Sequence, residues 1–172
     1  MKNQPIHFDP EFKTFTYGDP GVLKRRLQHL KAGDLLVFYA GLEPEDRSAE
    51  PALYIIAYFV VEKAGLASKF SNSELHRDFG HNFHVMHTRV LRAQKSALVL
   101  VKGGPGSRLL HKAFRISSVG KDNAGRPIKI LCRKMQRVFG DFGGRVAIQR
   151  CPPRWVSERY VLRSARFVKR LR

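Results

Sequence analysis

Ala52 to Ala64 reads ALYIIAYFVVEKA, and no other stretch limits the fold as much. Tyr, Ile, Phe and Val dominate it, and β-branched and aromatic side chains suit a packed, pleated surface. A run of this length with no polar alternation has no face to offer water, so it predicts a central strand covered on both sides. Shorter runs supply neighbours. LLVFYAGL, from Leu35 to Leu42, and SALVLVK, from Ser96 to Lys102, read as buried strands, TFTYGDPG as a short strand ending in a turn, and GRPIKILCRKM as a further strand.

Helical spacing is found around these strands. Val22 to Leu30 places Val22, Leu23, Leu27 and Leu30 near a 3.6-residue period, opposite Lys24, Arg25, Arg26 and Gln28. Ser68 to Arg77 carries Ser/Asn caps and a nearby Glu, SRLLHKAF after Gly106 reads as a helix, and FGDFGGRV reads as a glycine-rich loop. A helix is predicted over residues 156–171. Together these elements predict one α+β domain over residues 1–172, a mixed, twisted sheet of about five or six strands with peripheral helices.

Composition narrows the class. No apolar run approaches membrane-spanning length, and MKNQPIHFDPEF lacks the apolar centre of a signal peptide. Cys132 and Cys151 are isolated thiols without a pairing framework. A cytoplasmic chain without membrane association is expected. The net charge of +18 is unevenly placed: residues 1–86 hold 10 Lys and Arg against 11 Asp and Glu, whereas residues 87–172 hold 22 against 3. Solubility alone does not sort charge this way, and a basic half with so few carboxylates is the footprint of a polyanion binder.

The C-terminal helix gives that footprint a geometry. At 100° per residue Val156, Tyr160, Phe167, Val168 and Leu171 share one face, with Arg159, Arg163, Arg166 and Arg170 in a stripe beside it. Guanidinium forks match phosphates bidentately, and an anion would relieve the repulsion among four of them. Upstream, QRCPPRW sets Trp155 between Arg150, Arg154 and Arg159, which suits base stacking beside phosphate contacts, although anchoring the helix would equally use a tryptophan.

Three further groups bear on chemistry. VKGGPGSR, between a strand and an expected helix, offers Lys102, Gly104, Ser107 and Arg108 as a phosphate seat, but matches neither GxxxxGK[ST] nor GxGxxG. A plain turn needing positive φ reads the same residues. His81, His84 and His87, with His76 upstream, are spaced at three residues, yet no cysteine pair or HExxH accompanies them, so no metal and no cofactor is expected. Asn82 and His84 instead suggest a semi-buried polar pocket in which His84 bonds a base or moves a proton. Asp9 and Asp34, with Tyr17 and Asp19 nearby, are turn-prone carboxylates that could serve as its partner.

GDLLVFYAGL followed by YIIAYFVVEKA resembles the PUA-like superfamily of ASCH, EVE and YTH domains. The resemblance implies a small, twisted, partly closed β-barrel with flanking helices that binds RNA or DNA, often with a modified base in an aromatic pocket. HFDPEF, TYGD, GDLLVFYAGL, NFHV, GPGSRLLHKAF and QRCPPRW together resemble the nucleotide-modification-associated domains, over residues 5–156. That likeness implies that Tyr39, Asn82, His84, Ser107, Arg108, Arg150 and Trp155 belong to one site; the Arg-rich terminal helix falls outside it. The expected function is nucleic-acid binding, with phosphates on Lys102, Gly104, Ser107, Arg108, Arg150, Arg154, Arg159, Arg163, Arg166 and Arg170. A base is expected near Tyr17, Tyr39, Asn82, His84 and Trp155. The alternative is a nucleic-acid-processing enzyme using His84 with Asp9 or Asp34.

Overall fold

The computed structural model describes residues 7, 9–43, 45, 48, 50–141 and 154–172. Among the described residues there are seven strands: β1 (Thr16–Asp19), β2 (Leu35–Leu42), β3 (Ala52–Leu66), β4 (Val99–Gly103), β5 (Arg108–Arg115), β6 (Ser117–Lys121) and β7 (Pro127–Leu131). Five α-helices accompany them: α1 (Asn72–Phe79), α2 (Phe83–Met86), α3 (Thr88–Gln94), α4 (Arg133–Phe139) and α5 (Glu158–Val168). The main sheet runs β1-β4-β3-β2, with β5 also on β3, and is antiparallel and strongly curled into a half-barrel; β6 and β7 form a separate ribbon. The long apolar run is thus the central strand, and the architecture is α+β as expected. The chain divides into two compact units, Met1–Leu36 with Phe59–Arg108, and Val37–Tyr58 with Leu109–Arg172.

In the first unit β4 explains the core. Leu98 and Leu100 point one way and pack with Ala67, Leu75, Phe79 and Val85; Val99 and Val101 point the other way and pack with Leu27, Leu30 and Val61. Alternation across one strand therefore builds an apolar cluster on each face, and β4 has no solvent side. Its neighbour β1 pairs with it from Thr16 opposite Lys102 to Asp19 opposite Val99. Ser71 caps α1: its Oγ accepts from the Glu74 N–H while the Glu74 carboxylate accepts from the Ser71 N–H, a reciprocal arrangement that satisfies two otherwise orphaned donors.

An ion pair ties α1 to β3. Lys63 Nζ lies 2.8 Å from Asp78 Oδ2, and Arg77 donates to the same carboxylate. The Arg77 hydrogen bond foremost, with Lys63 after it, holds Asp78 down at a pKa of about 2 against a partial opposing effect of burial. A folded-state value below the unfolded 3.8 means stability that is present above that pH and lost as pH falls toward 2. Asp78→Asn should lower unfolding stability by about 1 kcal/mol at pH 7. In urea titrations at a series of pH values, the gap between the two proteins should close on acidification.

Three expectations change. Val22–His29 is a 3₁₀ helix, with Lys24 N–H bonded to Gly21 O and Leu30 N–H to Leu27 O. Three residues per turn stack Leu27 and Leu30 on one buried stripe and leave Val22 and Leu23 exposed. SRLLHKAF is strand β5: pairing with β3 supplies the backbone partners a helix would have provided, and so short a run fits either period. GRPIKILCRKM is split, with β7 ending at Leu131 and α4 starting at Arg133.

In the second unit α4 and α5 pack through Phe139 and Phe167, whose rings meet edge-on at 5.7 Å, with Phe114 edge-on to Phe167 at 5.1 Å. Gly140 closes α4 at φ 85°, and a Cβ there would lie 2.8 Å from the Tyr160 ring, so both backbone and packing demand glycine. FGDFGGRV starts at the end of α4, and residues 142–146 of it lie outside the described residues.

Candidate functional site

Of the two carboxylates offered as partners for His84, Asp9 lies beside it in the first unit. Asn82 caps α2, its Oδ1 accepting from the His84 N–H at 3.1 Å, and this sets His84 in the first turn, 3% exposed. Val85 beside it belongs to the apolar cluster on β4, which holds the helix in place. The His84 ring is fixed at both ends. Gln94 of α3 presents Oε1, an acceptor, 2.7 Å from Nδ1, and this orients the ring so that Nε2 faces Asp9 and His7. Across from Nε2 stand Asp9 Oδ2 at 3.5 Å and His7 Nε2 at 3.1 Å.

Asp9 is held by β1. The Gly18 N–H donates to Oδ1 at 3.1 Å and Oδ2 at 3.2 Å. Burial raises the Asp9 pKa above the ordinary carboxylate value, outweighing His84, the Gly18 amide and His7. Burial works against a charged His84, but the Asp9 carboxylate and Gln94 outweigh it, and its pKa is raised. Asp9 and His84 are almost completely buried, whereas the His7 side chain is half-exposed and forms the open edge. His7 stacks on Phe83 with ring centres 4.3 Å apart, and Phe83 on His87 at 4.4 Å.

Gly18 is where β1 admits this cluster. A Cβ at Gly18 would lie 2.9 Å from both Asn82 Oδ1 and His84 Cδ2, two atoms that packing and hydrogen bonds prevent from retreating. Gly18→Ala should therefore destabilise the fold by roughly 1–3 kcal/mol and displace the His84 ring. Histidine-selective NMR spectra should show the His84 resonances moved.

The second unit carries the basic surface. Arg159, Arg163, Arg166 and Arg170 line one open groove of about 510 Å³ with Leu162 and Phe167, and none of these lining residues is a carboxylate. Below the stripe, Ser164 and Val168 are buried, and Ser164 Oγ lies 2.9 Å from Val138 O, anchoring α5 on α4. Arg159 and Arg163 lie over the Tyr160 ring at 4.9 and 5.8 Å, and Arg163 also donates to Arg137 O. The helical period thus places the four arginines as the sequence predicts, with a serine at the centre of the buried face.

The remaining expected residues separate. Lys102, Gly104, Ser107 and Arg108 form no helix-capping phosphate seat, because a strand follows the turn and brings no helix dipole. Ser107 Oγ instead takes the Val60 N–H at 3.0 Å, Lys102 donates to Thr14 O, and Gly106 supplies φ 91°. Asp34 is exposed and closes its own turn by accepting from the Lys31 N–H, outside the His84 cluster. Tyr17 bonds Asp19 and packs toward Leu27 and Val101; neighbouring side chains alternate across β1, so it faces away from the side on which Gly18 meets Asn82 and His84. Tyr39 and Trp155 belong to the second unit and are partly exposed; Arg154 precedes them in burial, and Arg150 lies outside the described residues.

His7 and Gln94 were invisible to sequence reasoning. The regular His81-His84-His87 spacing does not mark the site: His81 is exposed, and of the three only His84 joins the cluster. Residues 7, 9, 84 and 94 come from three separate segments with no shared local signal. A family model described as nucleotide modification associated domain 3 matches residues 1–166. Searches of curated proteins and of solved structures each found no match.

Proposed function

The chain belongs to the nucleotide modification associated domain 3 family, and from that premise we propose that it binds nucleic acid, seating the sugar–phosphate backbone along α5. The observation that carries this reading is the groove with four guanidinium groups and, among the described residues, no lining carboxylate. Each fork can hold a phosphate oxygen pair, and the helix spacing brings successive forks along one edge. Most such contacts set position and register, not sequence. In this reading the curled sheet is a PUA-like scaffold, and Trp155, 42% exposed just ahead of α5, stacks on an unpaired base.

Fluorescence anisotropy with single- and double-stranded 20-mers of RNA and DNA across a salt series tests the proposal. Neutralising six to eight phosphates would give a slope of log K against log salt of roughly −5 to −7 on duplex DNA. Absence of binding at low salt, or affinity that ignores salt, would overturn it.

A second reading, a nucleic-acid- or nucleotide-processing enzyme, is favoured by the meeting of Asp9 and His84. A carboxylate and an imidazole at one buried position, with His7 at the open edge, can act together on one reacting group. Its mark would be probe turnover that His84→Ala removes while binding persists.

A further inference from the structure

We propose that His7, Asp9 and His84 bind a divalent transition-metal ion and leave at least one coordination position open on the His7 side. The inference shares its location with the second reading above, but it concerns metal binding and stands without any turnover.

Three ligand atoms converge. His7 Nε2, Asp9 Oδ2 and His84 Nε2 are separated by 3.1, 3.5 and 3.8 Å. Only the shortest of these is a hydrogen-bond length; the two involving the carboxylate are too long. All three suit neighbours in one coordination sphere. A triangle with these sides has its corners about 2.0 Å from a common centre, the length of a zinc–imidazole or zinc–carboxylate bond.

The surroundings support the same assignment. A ligating imidazole is normally oriented by a hydrogen bond at its other nitrogen, and Gln94 provides that bond to His84 at 2.7 Å. Asp9 is oriented in turn by the Gly18 N–H. Two ligands are thus fixed in buried positions, while half-exposed His7 closes the third side and leaves a way in for the ion. Asn82 Nδ2, buried and without a hydrogen-bond partner among the described residues, is a donor on the residue next but one to His84. Two imidazoles and a single carboxylate favour ions such as Zn²⁺, Fe²⁺ or Co²⁺ over Mg²⁺ or Ca²⁺, which prefer oxygen ligands.

The test uses full-length protein without an affinity tag, stripped with chelator and titrated with Zn²⁺ and Co²⁺ by calorimetry and absorption. The expected result is one ion per chain, with Co²⁺ bands lacking a thiolate charge-transfer component, and no comparable heat from Mg²⁺. His7→Gln alters an accessible ring and should spare the fold, as circular dichroism would verify, while weakening Zn²⁺ at least tenfold. Gln94→Ala removes no ligand yet should weaken Zn²⁺ by about 10- to 100-fold. Failure of stripped wild-type protein to take up Zn²⁺ or Co²⁺ would overturn the proposal, as would unchanged affinity in both His7→Gln and His84→Ala. Metal binding without turnover of any nucleic-acid probe would sink the enzyme reading alone. Turnover by stripped protein that binds no metal would sink the metal site alone.

Discussion

Changing Arg159, Arg163, Arg166 and Arg170 together to Gln should leave the protein folded and cut its affinity for duplex DNA by about three orders of magnitude at 0.15 M salt. The estimate follows from counterion release: four fewer neutralised phosphates make the log–log salt slope shallower by about 3.6 on a duplex and about 2.8 on a single strand. The loss should be similar for all sequences, since guanidinium–phosphate contacts carry no base information. These side chains point outward from a helix held by Ser164, Phe167 and Val168. Arg163 is the exception, because it also donates to Arg137 O; a triple variant that keeps Arg163 separates that anchoring role from phosphate binding. Unchanged affinity and slope in both variants would move the polyanion site away from α5.

Phe79→Ala should have the largest effect on stability. The ring has no exposure and packs among Leu75, Val85, Leu98 and Leu100, with Phe70 tilted against it at a ring distance of 5.2 Å. Truncation removes the transfer free energy of the ring and leaves a cavity on one face of β4, together about 3–5 kcal/mol. That is a large part of the 5–15 kcal/mol typical of a folded domain. Urea titration should show a much lower midpoint with little change in slope. Val85 lies in the same cluster and His84 precedes it, so the loosened core should also broaden the His84 resonances. A cost below about 1 kcal/mol would mean that this face of β4 collapses freely, contrary to close packing.

Both effects were legible in the sequence to different extents. The arginine stripe needed only the helical period and a count of nearby carboxylates, because a surface helix projects its residues at fixed angles whatever it packs on. Leu98 and Leu100 were legible as strand core, but Phe79 was not singled out: its burial depends on where α1 docks. The bounds of β2 and the course of β3 followed from continuous apolar runs, and α1 was announced by Ser71 and Glu74, although its body begins four residues later than the expected helix.

Local chemistry alone determined where strands with no solvent face must run, where α1 could be capped, and that positive charge gathers in the C-terminal half. Those properties depend on side chains a few positions apart. Tertiary structure decided that SRLLHKAF is a strand, since β3 supplied the hydrogen-bond partners, and that Val22–His29 winds as 3₁₀ with Leu27 and Leu30 inward. It also decided the site. His84 meets Asp9 and His7 across more than seventy residues because β1 runs beside β4, α2 packs through Val85 on the Leu98 and Leu100 face of β4 that Gly18 also faces, and Gly18 lacks the Cβ that would hold them apart. Convergence of that kind is a property of packed surfaces, and no pattern within a single segment records it.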